Sequence, residues 1–154
     1  MTSDLIILIV LVLLIYNIAN ESLLIRYGIS SDKKFQRLWH TYDAILRVII
    51  PSILLIRTYG VTVTSLLLLL SILLIYHVLF DILLNISVAY QRERLSFSRI
   101  FHLGNNLLDN TIRNIGLLFT KIKKFNKPIT VPVVNCIIKI FELLIGIWLW
   151  KIYV

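Results

Sequence analysis

Long apolar runs separated by short polar intervals set the pattern of this chain. A helix needs about 20 apolar residues to cross roughly 30 Å of hydrocarbon. Four stretches approach that length: residues 5–24, 38–56, 61–85 and 129–153. The first carries Asn17, Asn20 and Glu21 near its end. The second is the weakest, holding His40, Asp43, Arg47 and Pro51. The third is built on the leucine run 66–70, and the fourth is interrupted by Asn135, Lys139 and Glu142. These runs are too long for buried strands and do not alternate. Between the third and fourth, Phe101, Leu108, Ile112, Ile115 and Phe119 recur at helical spacing. That spacing predicts an amphipathic helix over about 98–119 lying at the membrane interface. The expected fold is all-α: a polytopic membrane protein, a four-helix transmembrane bundle with an additional amphipathic interfacial helix. It forms one domain over 1–154, without linker or repeat.

Composition agrees with lipid as the solvent. The chain is 58% hydrophobic with a mean hydropathy of +0.88. Soluble domains run nearer 45–50% apolar, roughly. A net charge of +8 raises nucleic acid as a partner. The basic residues nevertheless fall between apolar runs, where attraction to anionic lipid headgroups accounts for them, so no nucleic acid is expected. The loop after the first run holds Arg26, Lys33, Lys34 and Arg37. The connection between the third and fourth holds Arg92, Arg94, Arg99, Arg113, Lys121, Lys123, Lys124 and Lys127. Opposite them stand Arg57 and Lys151, twelve against two. The positive-inside rule then puts both basic loops in the cytoplasm and both termini outside, provided all four runs cross. Trp148, Trp150 and Tyr153 suit an aromatic belt at the outer end of the fourth. No Lys or Arg precedes the first run and no small-x-small site follows it, so it is expected to be a retained helix. The single cysteine, Cys136, excludes an internal disulfide.

Topology gathers the polar residues. Glu21 lies in the inner portion of the first span, His40 and Asp43 in that of the second, and His77, Asp81 and Asn85 in that of the third. His102, Asn106 and Asp109 follow on the same face. At about 1.5 Å per residue these groups agree in depth to within roughly 10 Å. His40 and Asp43 are three apart, and His77, Asp81 and Asn85 are spaced by four, so each set shares a helix face. Ionisable groups at membrane depth are expensive and usually pair or line a polar path. Carboxylates are hard oxygen ligands and imidazole suits zinc, iron or manganese. A divalent-metal site would take Glu21, His40, Asp43 and Asp81 as ligands, with His77, Asn85, His102 and Asp109 around them. Water activated there would hydrolyse a lipid headgroup, which would make the protein an enzyme. Without metal the same groups would relay protons. A structural reading fits the residues too: Asp43 pairs with Arg47, His40 bonds Asp43, and Asp81 holds His77 or Asn85. Lys139 and Glu142, three apart, read as a neutralising pair, and Pro51 as a kink.

Phe80-Asp81, Asn85, Leu103-Gly104 and Asp109, with Glu21 and His40-x-x-Asp43 before them, resemble a pattern in small multi-span membrane proteins of bacterial and phage genomes. Where those proteins carry a Gly-aromatic stretch after the Asn, this chain has Ala89-Tyr90-Gln91-Arg92. No settled activity attaches to that group. The resemblance implies a phage or mobile-element origin and the bacterial inner membrane. Two further function classes therefore stand beside a metal or proton site: a holin-like protein that self-associates, and a membrane subunit that scaffolds a larger complex.

Overall fold

A computed structural model describes residues 3–27, 41–42, 45–92, 95–102, 111, 113–115 and 127–154. Helix is the only regular structure among them. The elements are α1 (Ser3–Arg26), a π-helical turn (Ile45–Ile49) leading into α2 (Ile50–Tyr59), α3 (Val63–Gln91), α4 (Phe97–Ile100) and α5 (Lys127–Tyr153). Three helices, α1, α3 and α5, are long and apolar enough to cross a membrane. Only 22–33% of each of their spanning windows is buried. Ile15, Leu66, Phe141 and Trp148 are each more than half exposed. Outward-facing apolar surface on this scale is costly in water and costs nothing in lipid.

The second predicted span, 38–56, is described at residues 41–42 and from 45 onward, where the π turn leads into α2 and the helix runs on to Tyr59. The rest of the 38–56 stretch lies largely outside the described residues. Pro51 explains the π turn. Proline has no N–H to donate to the carbonyl four residues back, and its ring crowds that carbonyl, here Arg47's. Widening the preceding turn relieves the crowding. One residue on, the Ser52 hydroxyl donates to the Val48 carbonyl at 2.6 Å.

A three-residue turn joins α2 to α3. Gly60 adopts φ +71°, a left-handed conformation that L side chains rarely take, and its N–H caps the Ile56 carbonyl at 2.8 Å. Thr62 and Ser65 then start α3 by reciprocal capping. The Thr62 Oγ1 accepts from the Ser65 N–H, and the Ser65 Oγ accepts from the Thr62 N–H, both at 3.1 Å.

The chain divides into two compact units, Met1–Leu84 with Glu142–Val154, and Asn85–Phe141. In the first, Ile6, Leu55, Leu68 and Ile72 form a buried cluster with Trp150 and Tyr153 against it. A second cluster joins Leu14, Tyr76 and Phe80. α3 and α5 approach closely at Gly146, whose carbonyl accepts a buried 2.6 Å hydrogen bond from Ser71 Oγ. Small residues at such crossings let helices pack by van der Waals contact where lipid removes the hydrophobic driving force.

In the second unit the expected helix over 98–119 is interrupted near its start. α4 is one turn, and Phe101 and His102 leave the helix. Side chains from α3 and α5 donate to the backbone carbonyls at this point. The Asn85 Nδ2 donates to the carbonyls of Ile100 and His102, at 3.0 and 3.2 Å. The Asn135 Nδ2 donates to the intervening Phe101 carbonyl at 3.0 Å. Helix returns at Thr111 and at 113–115, and residues 103–110 lie outside the described set.

Candidate functional site

Three ionisable side chains of the first unit meet inside it. His77 lies on α3 with Asp81 one turn further along, and Glu142 lies on α5. The His77 Nδ1 stands 3.2 Å from Glu142 Oε2 and its Nε2 3.4 Å from Asp81 Oδ2. The side chains of His77, Asp81 and Glu142 are 26%, 31% and 16% exposed, so water screens them only in part. The i, i+4 spacing of His77 and Asp81 is what brings Nε2 to its carboxylate.

Hydrogen-bond counting constrains this array. A carboxylate without a proton only accepts, and neutral imidazole donates from one nitrogen alone. Both contacts are hydrogen bonds only when the ring carries two protons or when one carboxyl carries one.

Polar and aromatic groups surround the array. Tyr76, next to His77, is buried, and its hydroxyl accepts from the Asn17 Nδ2 of α1 at 2.5 Å. The Arg47 guanidinium lies 3.9 Å from the Phe80 ring centroid and 5.2 Å from that of Tyr76. Ring quadrupoles attract a cation in that position, which lowers the cost of holding it at this depth.

The residues expected to form a site separate as follows. Asp81 and His77 are together. Glu21 is half-buried on α1, one turn past the buried Asn17. Asn85 and His102 meet through the His102 backbone carbonyl, in the second unit. His40, Asp43 and Asp109 lie outside the described residues. Among the described residues, no group of three His, Cys, Asp or Glu side chains has the geometry to hold a metal ion. Glu142, which its spacing pairs with Lys139, also has an oxygen at the His77 ring. The pattern held one hint of this: Glu142 is the single carboxylate in the fourth apolar run, and His77 the single histidine in the third. Only the packing of α3 against α5 joins them.

The chain matches no known protein-family description, no curated protein and no solved structure.

Proposed function

We propose that this is a small multi-pass membrane protein that handles protons through the Glu142–His77–Asp81 array. The observation that carries the reading is the engagement of both His77 nitrogens by carboxylates. A metal-bound histidine needs one nitrogen's lone pair for the ion. Here each nitrogen already faces an acidic oxygen, an arrangement suited to passing a proton from one carboxyl to the other across the ring. Four crossings with both termini outside, in a bacterial inner membrane, complete the proposal; the twelve-to-two basic asymmetry supports it. In that orientation α3 runs inward. Taking residues 63–84 as its hydrocarbon segment, His77 lies seven residues, or about 10 Å, from the inner end. The array then sits in the inner third of the bilayer, near the cytoplasmic face.

Reconstitution tests this reading. Full-length protein goes into liposomes carrying an internal pH dye, and a potassium diffusion potential drives protons. Wild-type vesicles should acidify faster than empty ones, and His77→Phe and Glu142→Gln should both return to the empty-vesicle rate. Equal rates for wild type and His77→Phe would overturn the proposal. Bound zinc, iron or manganese that survives purification and disappears in Asp81→Asn would favour the metal reading instead.

A further inference from the structure

A second polar feature lies in the other unit and plays no part in the proton array. Asn85, Val88, Ala89, Arg92, Arg99 and His102 line a recess of about 320 Å³. It is assembled from the last two turns of α3 and from α4 with the turn after it. We propose that this recess binds a phosphate group carried by an anionic lipid, with Arg92 and Arg99 as its ligands.

The chemistry of the lining supports this. Two arginines and a histidine line one small volume, and among the described residues no carboxylate lines it. Guanidinium forks match phosphate oxygens in pairs and are less strongly hydrated than ammonium groups. Val88 and the buried Ala89 supply an apolar floor. A free phosphate ion gains nothing from such a floor, whereas the glycerol and ester carbons of a lipid do. The Asn85 amide group is spent on the carbonyls of Ile100 and His102. Those carbonyls would otherwise present negative dipole ends to an incoming anion, so this capping makes the recess more hospitable to phosphate.

Depth points the same way. α3 has 29 residues and so extends about 44 Å, while the hydrocarbon core is roughly 30 Å thick. With its apolar residues 63–84 in that core, the helix carries Asn85 to Arg92 into the headgroup layer. A cation placed there also favours the C-terminal ends of α3 and α4. A role confined to those helix ends would need no recess and no ligand.

Native mass spectrometry of the full-length protein tests the site, with phosphatidylglycerol or phosphatidylcholine as the probe. Wild type should retain phosphatidylglycerol in preference. Arg92→Gln with Arg99→Gln should cut that retention about tenfold or more, the loss expected for a charge-assisted hydrogen bond. Lys123→Gln with Lys124→Gln removes the same charge from a basic stretch later in the sequence and should change retention little. Val88→Phe keeps both arginines but fills the recess; it should lose the lipid, and it decides the matter if the arginine pair proves essential for folding. Retention that survives Val88→Phe, or that falls equally in the lysine control, would overturn the site. Inorganic phosphate separates the two sources. Binding of phosphate alone, equal in wild type with either lipid, would assign the arginines to a soluble phosphate compound and overturn the lipid assignment.

Discussion

Replacing Gly146 by alanine sets two known effects against each other at one atom. A Cβ built on Gly146 would stand 2.7 Å from Ile75 Cγ1 and 3.2 Å from the Ser71 carbonyl oxygen. Ordinary carbon contacts lie near 3.5–4.0 Å, so the two helices or the Ile75 side chain must give by about 1 Å. Overpacking of that kind costs about 1–3 kcal/mol. Separation also stretches the 2.6 Å Ser71–Gly146 hydrogen bond. Interhelical bonds in membranes contribute about 0.6 kcal/mol on average. Against these, alanine gains about 0.8–1.0 kcal/mol over glycine in helix propensity. The balance is a net destabilisation of about 1–2 kcal/mol. For a chain of this size that lowers Tm by a few degrees, roughly 2–8 °C. Reversible thermal unfolding in detergent, followed by helical circular dichroism, measures it. Ile75→Ala should relieve the contact, so the double variant should be more stable than the two single losses predict. A Gly146→Ala protein as stable as wild type, or stabilised by its propensity gain alone, would refute the close approach of α3 and α5.

Two further predictions follow from the asparagines and from the charge pattern. Asn85→Ala leaves the carbonyls of Ile100 and His102 without their donor, while Asn135→Ala removes one bond, to Phe101. Hydrogen exchange at residues 97–102 should therefore rise more in the first, with losses of about 1–3 kcal/mol against about 1; the reverse order would argue against Asn85 as the main clamp. Single cysteines at Ser3, Lys34, Gly60 and Lys124, in a Cys136→Ser background, should be labelled from outside at positions 3 and 60 and protected at 34 and 124. Outside labelling of position 34 with protection of position 60 would overturn the orientation.

Fold class could be read from the apolar runs because run length and lipid thickness are fixed by the same geometry. The first, third and fourth runs appear as helices with ends within a few residues of those expected, except that α3 continues six residues past Asn85 to Gln91. The extension is Ile-Ser-Val-Ala-Tyr-Gln, apolar in part but too mixed to place the helix end from sequence. The candidate site was only half legible. His77 and Asp81 are joined by local spacing, which a sequence displays. Glu142 reaches them by the packing of α3 against α5, which local spacing does not display. Asn85 was expected beside the carboxylates for its depth. One turn beyond Asp81 on the same face, it donates to the carbonyls of the α4 turn, partners that depth and spacing do not name.

The short capped turn at Gly60 to Thr62 bears on how the chain is built into its membrane. A segment with Arg47 at its centre and Pro51 in its ladder partitions poorly into lipid, since an arginine near mid-helix costs about 2.5–3.5 kcal/mol on insertion scales. The rings that receive that cation, Phe80 and Tyr76, belong to α3 and arrive later in synthesis. Because three residues separate α2 from α3, the poorly inserting segment remains tethered to one of the most apolar helices in the chain, with a mean hydropathy of 2.5 in its spanning window. In the proposed four-crossing arrangement the two would enter as a hairpin, with α3 supplying both the driving force and the rings that face the arginine. A nascent chain halted before Val63 would carry the burden of Arg47 with neither.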